Sequence, residues 1–257
     1  MIILRYALLS MIVFFFAGCY EVTEEIVISG NGSGTYLTKM DMSALLEMMQ
    51  TMAGEDELTK GGLDKAIDTT IQMRSVIDSA KDMPAAQKEL FQEGTMKLKM
   101  NIREKIFNAD IFYPFRNFDQ LQLLMSGTGT GGLADVFKKV YGSDSASAAS
   151  GSSSSDQGLG QVNNIFDITI KKGMVSKKLN EERYKALMEK PEIVQAKQMA
   201  TSGMEILYTT IIKFPKPVKK TDNPMIKLSA DKKTATINYN LLSLFDTPDN
   251  FSYTILY

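Results

Sequence analysis

Apolar residues recur along this chain at two spacings, and the change from one to the other marks out its elements. Residues 20–28 and 35–40 read as two strands. They are joined across Ser29-Gly30-Asn31-Gly32-Ser33-Gly34, whose small residues tolerate a tight reversal. The spacing then turns helical. Met42, Leu45, Leu46, Met49 and Met52 share one face behind a cap at Asp41 or Ser43. A second helix is predicted over 63–80, with Leu63, Ile67, Ile71 and Ile77 on one side and Asp64, Asp68, Gln72 and Ser75 on the other. A shorter helix follows Pro84, whose fixed φ suits a first turn, and stops near Gly94. Residues 95–102 alternate strictly, with Met96, Leu98, Met100 and Ile102 on one face and Lys97, Lys99 and Asn101 on the other. That is the pattern of a half-buried antiparallel strand. A strand over 106–113 ends at Pro114, and Asn117 caps a helix through Met125.

The second half continues with a Gly/Thr loop over 126–132 and a short helical segment over 133–141. Residues 142–160 are low-complexity Ser, Ala, Gly and Asp, without enough apolar surface to order themselves, and read as a flexible insertion. Phe166, Ile168 and Ile170 alternate into another strand. Asn180 caps a helix with Glu181 and Glu182 in its first turn, Pro191 ends it, and a helix follows over 192–202. The tail reads as strands over 206–214, 225–229, 234–240 and 251–257. The total is about eight strands and six helices, clustered rather than alternating, which predicts an α+β fold of antiparallel sheet with packed helices.

The first residues follow neither pattern. Arg5 precedes an apolar run from Tyr6 to Ala17, the layout of a secretory signal. The run falls short of the ~20 residues a membrane span needs, and Glu21, Glu24 and Glu25 follow it at once. Residues 1–18 are therefore expected to be a signal peptide and 19–257 the folded domain. Phe16-Ala17-Gly18-Cys19 resembles the lipobox of bacterial lipoproteins. That resemblance implies cleavage before Cys19, a diacylglyceryl group on its sulfur, and an acylated amino end carrying chains such as palmitate. It also implies an envelope location, with the outer membrane as the expected destination. Two or three acyl chains, at ~0.8 kcal/mol per buried methylene, hold a protein stably where one chain is marginal.

Composition narrows the chemistry. Cys19 is the only cysteine, so no intramolecular disulfide is available. There is no histidine, which removes Ser-His-Asp and Cys-His triads and the common catalytic zinc sites. A net charge of −1 argues against a nucleic-acid partner.

A second resemblance lies in the tail. Ile211-Ile212-Lys213-Phe214-Pro215-Lys216-Pro217-Val218, Thr221-Asp222-Asn223-Pro224 and residues 231–239, with the opening hairpin behind the lipobox, are similar to LppM-type lipoprotein domains. The chain as a whole also looks like uncharacterised lipoproteins of the Bacteroidota. The LppM-type likeness implies an α+β domain with a lipid or glycolipid pocket and brings no catalytic residue. This chain departs from it in lacking a C-terminal membrane helix and in carrying the Ser-rich insertion.

The candidate hydrophobic-ligand face is Met42, Leu45, Met49 and Met52 of the first helix, with Met96 and Met100 on the facing strand. Methionine is flexible and polarisable and lines surfaces that accept varied apolar ligands. The competing reading is plain core, the commoner use of an apolar stripe at helical spacing. Glu55, Asp56 and Glu57 lack the spacing of a calcium loop, and Ser29–Gly34 lacks the Lys-Ser/Thr of a phosphate loop. Lys216, Lys219, Lys220, Lys232 and Lys233 form a basic patch that suits anionic headgroups or simply a solvated face. The expectation is a membrane-anchored, non-enzymatic lipoprotein that binds lipid or another hydrophobic ligand. It has no cofactor beyond the lipid on Cys19. The alternative is an interaction or structural subunit with no ligand pocket and unknown protein partners.

Overall fold

A computed structural model describes residues 19–53, 66–77, 84–128, 162–191 and 205–257, together with 193 and 197. Its strands are β1 (Cys19–Ile28), β2 (Gly34–Asp41), β3 (Ile67–Gln72), β4 (Thr95–Asn101), β5 (Ile106–Phe115), β6 (Phe166–Lys171), β7 (Met174–Leu179), β8 (Glu205–Lys213), β9 (Lys220–Thr221), β10 (Lys227–Leu228), β11 (Thr234–Asn240) and β12 (Tyr253–Leu256). The helices are α1 (Ser43–Ala53), α2 (Arg74–Ile77), α3 (Ala85–Phe91), α4 (Phe118–Leu123) and α5 (Glu181–Met188). The fold is α+β, as its sequence predicts.

Eight strands form one sheet in the order β10-β11-β8-β1-β2-β5-β4-β3, and four form a smaller one in the order β6-β7-β12-β9. All pairs in both sheets are antiparallel except β1 with β8, which run parallel. The large sheet is two-faced, as period-two alternation demands. Val22, Ile26 and Ile28 of β1, Tyr36 and Met40 of β2, and Met96, Leu98 and Met100 of β4 point inward and are buried. Covering such side chains contributes ~1.5–3 kcal/mol each. The small sheet and the helices lie over this inner face. Phe91 of α3 meets Tyr113 of β5 edge-on at 5.4 Å. Phe251, just before β12, meets Tyr239 of β11 at 4.3 Å. The outer face is charged and threonine-rich, with Glu21, Lys39 and Lys97 exposed on it.

Two predicted caps form. The Asn117 side chain accepts the Gln120 N–H at 2.9 Å, and the Asn180 side chain accepts the Arg183 N–H at 3.0 Å. The helix expected over 63–80 is where the prediction fails. Its described part is β3 followed by the single turn α2. Ile67 and Ile71 lie four residues apart, a spacing that satisfies both a helical face and a strand face. Pairing with β4, Ile67 opposite Met100 and Ile71 opposite Met96, decides for the strand. β7 was not expected either. Val175, Ser176 and Lys177 are buried in succession, so no alternation advertises the strand.

β5 runs on through Pro114 to Phe115, since β4 has already ended opposite Phe112 and leaves an open edge there. The expected strand over 225–229 is only β10, and that over 251–257 is a 3-10 turn, Pro248–Phe251, followed by β12. The signal peptide, the helical segment at 133–141, the Ser-rich insertion and most of 192–202 lie outside the described residues.

Candidate functional site

Cys19 is the first residue of β1, paired with Glu205 of β8, so the predicted lipid-bearing residue leads directly into the middle of the large sheet. Glu21 pairs with Asp41, and α1 begins two residues later at Ser43. The start of α1 is locked to that end of the sheet. The Met42 N–H donates to the Phe107 carbonyl at 2.8 Å, and the Phe107 N–H donates to Ser43 Oγ at 3.1 Å. Further along, Gln50 Nε2 donates to the Ile102 carbonyl at 2.8 Å, and Lys105 pairs with Glu47 at 3.1 Å.

The methionine-bearing helix therefore starts beside Cys19, an adjacency that sequence spacing does not show. Met42 is half-buried against the core. The side chains of Leu45, Met49 and Met52 lie outside the described residues. Met96 and Met100, at 0% and 1% exposure, are core residues. Met96 sits between Ile71 and Ile111, and Met100 between Ile67 and Phe107.

The chemically unusual place is one that sequence reasoning missed. Glu24 occupies an inward position of β1, between Thr38 of β2 and Thr210 of β8, and is 8% exposed. Tyr36 Oη donates to its Oε1, and Thr210 Oγ1 donates to its Oε2 at 3.4 Å. Tyr208 is close enough for the same carboxyl to act on its hydroxyl, and its ring stacks on Tyr239 at 5.2 Å. Burial first, then Glu24, raises the hydroxyl pKa of Tyr36, Tyr208, Tyr239 and Tyr253, so these groups stay protonated. The signal was available in the chain, because Val22-x-Glu24-x-Ile26-x-Ile28 puts a carboxylate on the apolar face of an alternating strand.

From the small sheet, Lys177 of β7 faces the same interior at 6% exposure. Its Nζ lies 4.3 Å from the centre of the Phe166 ring and donates to Asn163 Oδ1 at 3.4 Å. Burial lowers its ammonium from 10.5 to about 8, with Glu24 pulling the other way. The unfolded chain thus holds this proton more tightly than the folded one. The resulting penalty is complete below pH ~8, shrinks as pH rises, and is gone above the unfolded value; its full size is about 3 kcal/mol. The raised tyrosines act with the opposite sign, contributing stability that is lost as pH climbs past ~10. The melting temperature is therefore expected to rise between pH ~8 and ~9.5 and turn over above ~10. In Lys177→Met the rise should flatten while the turnover remains. Melts followed by circular dichroism test this, and parallel profiles for the two proteins would refute it.

A second feature is a groove of about 430 Å³ lined by Lys178, Glu181, Asp222, Asn223, Asp249 and Ser252, among others. Asp222 Oδ2 accepts from Lys178 Nζ at 2.7 Å and its Oδ1 from the Thr254 N–H at 2.5 Å. Burial works against the Asp222 carboxylate, but Lys178 and Thr254 outweigh it and hold its pKa below the usual value. Asn223 Nδ2 donates to the carbonyls of Asn250 and Ser252, both at 2.8 Å, which ties two loops together. Lys178, Asp222, Asn223 and Ser252 are thus spent on this structure, Ser252 Oγ accepting the Leu179 N–H at 2.9 Å. Among the described residues no group of three acidic, cysteine or histidine side chains is placed to hold a metal ion, and no helix is long and apolar enough to cross a membrane.

No protein-family model matches the chain, and no curated protein matches it. Among solved structures it is similar to the folded domain of Mycobacterium tuberculosis LppM, determined by NMR. The identity is 8%, over 92% of this chain and 88% of that one, with a TM-score of 0.32.

Proposed function

We propose that the chain is a lipid-anchored envelope protein that acts as a non-enzymatic binding module, held against its membrane by the first strand of its large sheet. One observation carries the reading. Cys19, the cysteine of the lipobox-like segment, is residue one of β1, so a lipid-bearing residue there would lead straight into the middle of the large sheet with no intervening spacer. Two or three chains supply stable anchoring where one is marginal. The outer membrane is the proposed destination.

A second reading adds a lipid or other hydrophobic ligand. What favours it is α1, which carries Leu45, Met49 and Met52 and starts just after Met42 at the same end of the sheet as Cys19. Burial of Met96 and Met100 restricts such a ligand to the α1 side.

One preparation tests both. The full chain is expressed in a bacterial host fed an alkyne fatty acid, beside Cys19→Ser. The native chain is expected to take up label and enter the detergent phase. Cys19→Ser should lose the label entirely and remain unprocessed. Equal labelling of the two would end the anchor reading. Native mass spectrometry of the labelled chain should show a further noncovalent lipid mass if the second reading holds, and its repeated absence removes that reading alone.

A further inference from the structure

The end of the large sheet opposite Cys19 gathers lysines that the sequence scatters. β1 runs for ten residues, about 30 Å at ~3.3 Å per residue. Near its far end Val27 pairs with Lys213 of β8. Backbone hydrogen bonds splice several segments together there. The Val218 N–H donates to the Lys232 carbonyl at 2.8 Å, the Lys219 N–H to the Leu256 carbonyl at 2.7 Å, and the Tyr257 N–H to the Gly173 carbonyl at 3.0 Å. The β6–β7 turn, with Lys171 and Lys172, is thereby brought beside Lys219 and Lys220, and these beside Lys232 and Lys233. All six are exposed.

The carboxylates at this pole are engaged. Glu25 pairs with Lys213 at 2.5 Å. Asp231 accepts from Ser229 Oγ at 2.5 Å and from the Lys233 N–H at 3.0 Å. Leu228 and Leu256, each 37% exposed, stand beside the lysines.

We infer that this pole docks onto an anionic lipid surface. Every cation in the contributing segments is lysine, a compact charge on a flexible stem that suits many phosphate headgroups rather than one bidentate partner. Exposed leucines next to the charges supply the apolar tips that enter a headgroup layer. The inference goes beyond the anchor at Cys19, since the pole lies at the other end of β1. With that anchor in place the domain holds two attachment points and links one bilayer to a second anionic surface.

The test uses the full acylated chain in neutral phosphatidylcholine vesicles. These are mixed with a second, fluorescent population that is either neutral or about one-third phosphatidylglycerol. Capture of the anionic population alone is expected, with loss at ~0.5 M salt, where the screening length falls to ~4 Å. The triple variant Lys219→Glu, Lys220→Glu, Lys232→Glu should capture at least about tenfold less. Lys39→Glu, on the outer sheet face, should capture as the native chain does. Folding of each variant is checked by circular dichroism. Equal capture of neutral and anionic vesicles overturns the inference, as does binding to a soluble anionic polysaccharide without binding to vesicles. A chain that stays out of the neutral vesicles yet floats with the anionic ones sinks the Cys19 reading and leaves the pole standing.

Discussion

Glu24→Ala is expected to destabilise the domain by about 3–5 kcal/mol, since each buried donor left without its acceptor costs ~1–3 kcal/mol. The carboxyl accepts from Tyr36 and Thr210, two hydroxyls from the two strands that flank β1. Alanine leaves those donors in a sealed interior with no acceptor, and it removes the charge that supports the Lys177 ammonium. Glu24→Gln keeps one acceptor oxygen and should lose about 1–2 kcal/mol. The double variant Glu24→Leu, Lys177→Met should recover only the part of the alanine loss that comes from the cavity and the unsupported ammonium, because the hydroxyls of Tyr36 and Thr210 still lack their acceptor. Urea unfolding of the four proteins measures the pattern. A Glu24→Ala protein with the native midpoint, or a double variant weaker than Glu24→Ala, would show that the cluster is not coupled across the two sheets.

The second large effect is expected at Gly34, where β2 begins opposite Ile28 and Phe115. A Cβ built there would lie 1.8 Å from the Val27 carbonyl oxygen and 2.5 Å from Phe115 Cζ. The ring can turn, but the carbonyl belongs to the backbone of β1 and moves only by opening the hairpin. Gly34→Ala should therefore cost about 3 kcal/mol, the upper part of the overpacking range, and lower the melting temperature by ~6–12 °C. Gly30 in the same turn has nothing within 4 Å of such a Cβ. Gly30→Ala should fall within ~0.5 kcal/mol of the native chain. If the two variants melt together, close approach at Gly34 is not what shapes the turn.

The polar cluster shows how legibility varies within one site. Glu24 was readable, since an acid among Val22, Ile26 and Ile28 lies on the buried face of its strand whatever the fold. Its company was not. Tyr208, Thr210, Tyr239 and Tyr253 come from strands far along the chain. Lys177 sits in a strand whose successive buried residues erase the alternation that would reveal it. The lysine pole behaves the same way. The Lys216–Lys220 and Lys232–Lys233 clusters were visible as a patch, whereas Lys171 and Lys172 join it through the pairing of β12 with β7 and β9 and the bond from Tyr257 to Gly173.

What the chain determined by itself is what depends on neighbouring residues: the opening hairpin, the alternation of β2 and β4, the side-chain caps at Asn117 and Asn180, and the α+β class. These are set within a few residues by side-chain direction and backbone hydrogen bonding, so period and cap chemistry suffice to read them. Only the tertiary structure decided that 67–72 is a strand, that β1 and β8 run parallel, that Met96 and Met100 are closed into the core, and that a carboxyl and an ammonium share one interior. Each of these turns on which distant strand supplies the missing hydrogen bonds, and that partner is chosen by the burial of the whole sheet rather than by any local run of residues.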